Sequence, residues 1–242
     1  LAGPADFVNT LLDAKILAVV RRGKFLWMPL ELSKVADTEQ KHFALVGHLG
    51  MSGQMFLRKP SEEPDKLTRV VITLETARGK TVEFRFIDQR IFGSLAIDEL
   101  VPTSDGNPGG FTQSSSAGKW WQNLIPSTAA HIARDPLDDS FDLTLVREKF
   151  AKKRSGVKRV LLDQQVLSGV GNIYADEILF DSGLRYDRET GSLTTQEIRR
   201  LYRSLVEILH EAIKYNGSTL SDGQYVDLFG KAGDYQSHHQ VY

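Results

Sequence analysis

The stretch "LLDQQVLSGVGNIYADEILF", Leu161 to Phe180, decides how the chain folds. Its two ends carry apolar residues at helical spacing, and the "QQVLSGVG" between them is too long for one tight turn. Gly169 and Gly171 stand where the second helix begins. A helix start leaves its first N–H groups without intrahelical partners, so a backbone free of side chains there is a ready anion site. Asn172 reads as the N-cap, satisfying its own helix or reaching outward to a phosphate. The approach carries Arg147, Lys149, Lys152, Lys153, Arg154, Lys158 and Arg159, opposed locally only by Glu148. Such a run suits a phosphodiester clamp. It suits equally a solvated helix face whose glycines merely close a turn.

Helical periodicity continues on both sides. "TLVREKFAKK" and "VKRVLLDQQ" predict helices before the loop, and "NIYADEILFDSG" predicts one after it, closed by Gly183. Thr194 and Glu197 predict a capping box. The helix they open has an apolar stripe of Ile198, Leu201, Leu205, Ile208, Leu209 and Ala212, opposite Arg199, Arg203, His210 and Lys214. Gly217 reads as its stop signal. The tail "NGSTLSDGQYVDLFGKAGDYQSHHQVY" reads as polar and mobile.

Upstream the period changes. From about Leu11 to Leu100, "KILAVVRRGKFLWMPLEL", "FALVGHLGMSGQMFL", "RVVITLETARGKTVEFRFI" and "GSLAIDEL" are β-branched or aromatic runs separated by turn residues, an antiparallel β pattern. "ETARGKT" predicts a hairpin connection with Gly79 at positive φ. Pro102 to Thr128, rich in Ser, Gly and Pro, reads as a long mobile surface loop that Trp120 and Trp121 pin to the β half. The β and α halves join near Arg134 to Ser140.

The 242 residues are 41% hydrophobic and 25% charged, enough for two modest domains. No apolar run approaches the roughly 20 residues of a membrane helix, and no signal segment opens the chain. The reading is a soluble, intracellular protein with no membrane partner. With no cysteine, a disulfide framework and a thiolate metal site are excluded for this chain. A net charge of -1 means that any nucleic-acid role rests on local patches.

Two turns of the β half carry side chains suited to such a role. "HLGMSGQM", His48 to Met55, is too rich in glycine for a central strand and presents Met51 at its tip. "DQRIFG", Asp88 to Gly93, places Arg90 and Phe92 at alternate positions of a strand end, pointing the same way. A base extruded from a duplex leaves a gap to be filled by apolar surface and a hydrogen-bonding group. "RRGKFLW" sets Lys24 on a strand, flanked by Arg21 and Arg22, where a sheet-edge lysine is the plain alternative.

Over its whole length the Leu161 to Phe180 stretch resembles the helix-two-turn-helix of the bacterial formamidopyrimidine-DNA glycosylase and endonuclease VIII (Fpg/Nei) family. Ribosomal small-subunit and topoisomerase proteins use related two-turn elements, so "HLGMSG" and "DQRIFG", which also resemble this family and stand in its order, do the discriminating. The resemblance implies an α+β fold, an N-terminal antiparallel β-sandwich over residues 1–134 followed by an α-helical helix-two-turn-helix domain over 135–242. It implies that Met51, Arg90 and Phe92 enter the duplex, the arginine facing the orphaned cytosine. Lys24 matches a strand lysine that contacts the lesion region and assists proton transfer. Lys153, Arg154, Gly171 and Asn172 match the backbone grip, and Gly217, Ser218 and Thr219 match the start of the loop over the everted base. Leu67 in "DKLTRV" stands where the family often has a histidine.

The implied function is a glycosylase and abasic-site lyase for oxidised purines, acting through base flipping and a Schiff base. Its partner is damaged double-stranded DNA, and it is expected as a monomer in the bacterial cytoplasm, at the nucleoid. The family nucleophile is an N-terminal proline followed by glutamate, whereas this sequence starts "LAGPADF", with Pro4 inside it. The family's four-cysteine zinc finger would begin at about "HHQVY". His238 and His239 are adjacent, a poor spacing for chelation, so no metal or cofactor is assigned to this chain, with Zn2+ expected in the full-length protein. The expectation is an interior portion of a longer enzyme. The alternatives are a degenerate relative that binds damaged DNA without cutting, and an endonuclease VIII type for oxidised pyrimidines.

Overall fold

The computed structural model describes residues 4–33, 41–113, 118–219 and 225–242. In chain order the elements are α1 (Pro4–Leu11), β1 (Lys15–Ile16), β2 (Val20–Arg22), β3 (Phe25–Glu31), β4 (His42–His48), β5 (Gly53–Arg58), β6 (Thr68–Glu75) and β7 (Thr81–Asp88). They continue with β8 (Ser94–Pro102), β9 (Leu124–Pro126), α2 (Leu143–Lys152), α3 (Val157–Leu161), α4 (Asn172–Asp181) and α5 (Thr195–Lys214). The chain forms two compact units built from interleaved stretches. One holds Leu1–His48, Leu95–Val170 and Glu189–Gly191, and the other holds Leu49–Ser94, Gly171–Arg188 and Ser192–Tyr242.

In the first unit the strands run β1-β3-β4-β8-β9, with β2 paired to β3. Antiparallel register sets Trp27 opposite Val46. Trp27 is fully buried in a core with Ala44, Val46, Leu100, Trp121 and Ile125. Trp121 is thus a pin, as the sequence predicts, while Trp120 stays exposed and stacks on His42 with ring centroids 4.0 Å apart.

The segment from Pro102 to Thr128 departs from the predicted mobile loop. Thr103 N–H donates to Asn123 O at 3.0 Å, Gly109 N–H to Gln122 O at 2.8 Å, and Phe111 exchanges backbone hydrogen bonds with Arg21 at 2.8 and 2.9 Å. A Cβ on Gly110 would lie 3.0 Å from the Trp27 ring and 2.3 Å from Arg21 O, so this glycine allows backbone to lie against core. Arg134 closes the segment with two hydrogen bonds to Asp105, at 2.7 and 2.8 Å, which draw that carboxyl down to a pKa of about 2. Composition suggested mobility because Ser, Gly and Pro lack side chains for a core, yet backbone pairing needs none. Residues 114–117 of the segment lie outside the described residues.

In the second unit three strands run β5-β7-β6. Strand β6 alternates half-buried and exposed residues as a one-sided sheet requires. The β6–β7 hairpin turns through Gly79 at φ +69°, as expected.

The helices start and stop mostly where the sequence places them. Asp142 caps α2 by accepting from Thr144 N–H at 2.7 Å. Helix α3 keeps only five residues, shorter than predicted, because the Asp163 carboxylate takes the Gln165 N–H at 3.0 Å and turns the chain. Gly183, at φ +62°, closes α4: its N–H donates to Phe180 O, and Leu184 N–H to Leu179 O, both at 3.0 Å. Thr194 and Glu197 form the capping box of α5.

Helix α5 stops in two left-handed residues, Asn216 at φ +58° and the expected Gly217 at φ +78°, whose N–H donates to Ala212 O at 2.7 Å. One reading of the C-terminal region needs correction: the described tail is not loose. Tyr235 is buried, and the buried Glu177 carboxylate of α4 accepts Gln240 N–H at 2.8 Å and Val241 N–H at 3.0 Å. Among the described residues no helix is long and apolar enough to cross a membrane.

Candidate nucleic-acid interface

The residues singled out by sequence fall into two groups, one in each unit. In the first unit Lys24 belongs to a turn, correcting the strand assignment. Arg22 pairs with Phe25, leaving Gly23 and Lys24 as the two-residue connection of the β2–β3 hairpin. Gly23 has φ +56°, and a Cβ there would lie 2.7 Å from Ser168 Cβ and 3.3 Å from Gly169 N. The lysine turn is therefore seated directly on "SGVG". Arg21 secures the contact, donating to Gly23 O at 2.9 Å and pairing with Asp135 at 2.6 Å. Partial burial lowers the Lys24 pKa; His48 is lowered by burial and then by the Lys24 charge.

The loop itself is stapled by Gln164, which sequence reading passed over. Its Nε2 donates to Leu162 O at 3.0 Å and Val170 O at 3.1 Å, while its Oε1 accepts Gly169 N–H at 2.9 Å. Gly169 is accordingly not an open donor, which corrects the anion-nest reading at that residue. Its glycine is required by φ +94° and by Asp135 Oδ2, 3.2 Å from where a Cβ would stand. The one available signal for Gln164 was an amide at the start of the connection, a signal it shares with Gln165.

The basic approach is less unopposed than its sequence suggests. Lys153 pairs with Asp163 at 2.6 Å and Lys149 donates to Gln165 O at 2.7 Å, so both brace the turn that follows α3. Asp163 is held below its ordinary pKa first by the Lys153 hydrogen bond. Arg154 is exposed.

In the second unit two loops converge. Met51 is 55% exposed at the tip of a turn, as expected, and Phe92 is 63% exposed. Residues 89–93 form a bend after β7 with Ile91 at φ +58°, so strand alternation does not aim Arg90 and Phe92. The bend is organised instead by Asp88. Its buried carboxylate accepts from Ser52 Oγ–H at 2.6 Å, Gly93 N–H at 2.7 Å and Arg90 N–H at 3.2 Å. Burial pushes the Asp88 pKa up, but the Ser52, Gly93, Arg90 and Ile91 hydrogen bonds outweigh it and hold the group below its ordinary value. Gly50, at φ +60°, completes the join: a Cβ would lie 2.6 Å from the Phe92 carbonyl carbon. The Met51 turn and the Arg90–Phe92 bend thus form one body around one carboxylate.

The remaining candidates lie in the same unit. Gly171, with φ -115° and ψ -177°, is the N-cap of α4; Asn172 is the first helical residue, exposed, and the helix start has no side-chain cap. The N-cap assignment to Asn172 is corrected by one residue, because the extended conformation falls on Gly171. Gly217, Ser218 and Thr219 form a fixed root. Gly217 O accepts Tyr235 N–H at 3.0 Å, Ser218 Oγ lies 2.9 Å from His239 Nε2, and Thr219 N–H donates to Gln236 Oε1 at 2.8 Å. Leu220, which follows them, lies outside the described residues.

Among the described residues no group of three or more His, Cys, Asp or Glu is placed to hold a metal, and His239 faces Ser218. The described residues do not make the zinc site that the family resemblance implies.

An antiparallel β half, a two-turn helical element and paired glycine-rich loops define a protein of the β-sandwich and helix-two-turn-helix class. Residues 1–95 match the formamidopyrimidine-DNA glycosylase N-terminal domain, and residues 132–224 match the formamidopyrimidine-DNA glycosylase H2TH domain. The chain belongs to the formamidopyrimidine-DNA glycosylase family. It is 40% identical to the formamidopyrimidine-DNA glycosylase of Leifsonia xyli subsp. xyli over 242 residues, all of this chain and 76% of the relative. With that of Kineococcus radiotolerans it shares 38% identity over the same span, 75% of the relative. Among solved structures, Lactococcus lactis Fpg in complex with abasic-site DNA matches 95% of this chain and 70% of its own, with a TM-score of 0.67 at 27% identity. A complex of the same enzyme with THF-DNA and an inhibitor matches 100% and 75%, with a TM-score of 0.72 at 26% identity.

Proposed function

We propose that this chain is the DNA-handling body of a glycosylase that excises oxidised purines, such as 8-oxoguanine and formamidopyrimidines, from duplex DNA and then cleaves the abasic site by β,δ-elimination. The observation that carries the reading is the gathering of Met51, Arg90 and Phe92 around Asp88, in a chain whose family membership spans its length. An everted base leaves a hole of apolar walls and unpaired acceptors and donors. Met51 and Phe92 fill it, and Arg90 hydrogen-bonds the orphaned cytosine. Lys24, lowered in pKa at a turn locked to "SGVG", takes the role of moving a proton near the lesion sugar. Lys153, Arg154, Gly171 and Asn172 grip the backbone, and Gly217 to Thr219 root the loop over the base. The division into 1–134 and 135–242 is supported by the separate matches to the two family models. We assign the protein to the bacterial cytoplasm, at the nucleoid, acting as a monomer.

The resemblance implies a proline amine as nucleophile: its lone pair bonds to sugar C1′ as the glycosidic bond breaks, and the ring opens to a Schiff base. Borohydride reduces that linkage to a stable amine. The protein expressed from its own start codon should be trapped covalently on an 8-oxoguanine duplex. Binding without an adduct would sink the enzyme reading in favour of a non-enzymatic binder, and adducts only with oxidised pyrimidines would assign the endonuclease VIII type.

A second expectation concerns the basic approach. Lys153→Ala should flatten the salt dependence of DNA binding by about one counterion, a slope change near 0.9 in log K against log salt. An unchanged slope would mean that Lys153 serves Asp163 alone.

A further inference from the structure

The chain that follows α5 reaches the Met51 turn. Tyr225 Oη–H donates to Met51 O at 3.2 Å. The carbonyl of the same tyrosine accepts from Thr219 Oγ1. Thr219 is itself fixed, its N–H on Gln236 Oε1 and its Oγ1 accepting Gly233 N–H, each at 2.8 Å. Just beyond Tyr225 the chain is fixed again: Leu57 N–H of edge strand β5 donates to Leu228 O at 3.1 Å. Between these anchors Val226 pairs with Ala232, and Asp227 Oδ1 accepts from Phe229 N–H and Lys231 N–H at 2.9 Å each. Tyr225 is therefore held from both sides as it meets the turn.

Met51 needs such support. Its side chain is unbranched and more than half exposed, so its aim depends on the backbone that carries it. That backbone is braced at Ser52 by Asp88 and within the turn by Gly53 N–H on Leu49 O at 2.8 Å. The carbonyl of Met51 is braced by Tyr225. We propose that Tyr225 is a positioning residue that couples Thr219 and the Tyr225–Lys231 turn to the Met51 wedge, so that loosening Tyr225 weakens the filling of the DNA gap. The inference rests on the assignment of Met51 to the gap.

The test is a double-mutant cycle in the full-length protein with Tyr225→Phe and Met51→Ala. Two quantities are read: single-turnover excision of 8-oxoguanine, and base eversion reported by 2-aminopurine placed beside the lesion. Loss of one neutral, exposed hydrogen bond should slow excision about threefold and reduce eversion to match. The melting temperature should stay unchanged, and the effect should vanish when Met51 is already alanine, a dependence that a general structural role would not produce. Equal slowing in both backgrounds, or none in either, overturns the coupling. If Met51→Ala slows excision but Tyr225→Phe has no effect, the coupling fails while the gap-filling reading stands. If Met51→Ala itself excises at full rate, both fail.

Discussion

Asp88→Ala is expected to remove about 3 kcal/mol of folding stability and to slow excision about a hundredfold. The carboxylate is buried and accepts the Ser52 hydroxyl together with N–H groups of Arg90, Ile91 and Gly93. Alanine leaves the Ser52, Ile91 and Gly93 donors without that acceptor, while Arg90 N–H keeps Ser52 Oγ at 3.1 Å, and each buried unmatched donor costs about 1–3 kcal/mol where water cannot replace it. Arg90 and its neighbours lie near solvent, which places the sum at the low end. The rate effect has a separate origin: with the carboxylate gone the Met51 turn keeps the Arg90 N–H to Ser52 Oγ bond at 3.1 Å but loses the group that fixes both ends of it, and misplacement by about 1 Å costs on the order of a hundredfold. Urea unfolding and single-turnover excision measure the two effects independently.

The same residue predicts a pH dependence with a definite sign. Its folded-state pKa lies below the ordinary value, so the ionised form is favoured by folding. The stability it contributes is full above the unfolded carboxylate pKa of about 3.9 and is lost as pH falls through the lower folded value. The stability difference between the natural protein and Asp88→Asn should shrink as acid is added below that point. A difference that stays constant from neutrality to about pH 3 would show that charge on Asp88 is not what organises the loops.

Gly23→Ala is the other large expectation, a loss of about 2–4 kcal/mol together with most of the contribution of Lys24. A non-glycine residue at φ +56° pays roughly 1–2 kcal/mol for the left-handed conformation. The added Cβ would also lie 2.7 Å from Ser168 Cβ, an atom fixed to the backbone of a fully buried residue and unable to swing away. The hairpin must lift off "SGVG" and take Lys24 with it. Thermal unfolding reads the first effect, and excision by Gly23→Ala compared with Lys24→Ala reads the second. If Gly23→Ala excises normally, the contact between turn and loop does not position the lysine.

Much of this arrangement was legible in one dimension. Capping chemistry is local, so Thr194 with Glu197 and Gly183 marked their helix ends correctly. Met51 was legible as exposed because "GMSG" cannot make a central strand. Errors came where a partner distant in sequence decided the conformation. Lys24 reads as a strand residue by its neighbours, but Ser168 makes room only for a glycine turn beside it. Arg90 and Phe92 read as alternate strand positions, but Asp88 draws in three following N–H groups and bends the chain. Lys153 reads as one more charge in a basic run until Asp163, ten residues on, takes it.

Residue types and their spacing alone determined that the chain has a β half and an α half, where most helices begin and end, and that the glycine-rich Met51 turn stands exposed. Those choices depend on φ/ψ limits and on hydrophobic periodicity, which act over a few residues. Only the tertiary structure decided that Gln164 closes the two-turn loop, that Gly23 seats Lys24 on Gly169, and that Asp88 and Tyr225 together hold Met51. Each of these is a single acceptor or a single missing Cβ meeting its partner across a long stretch of chain, and such a meeting has no period for a sequence to display.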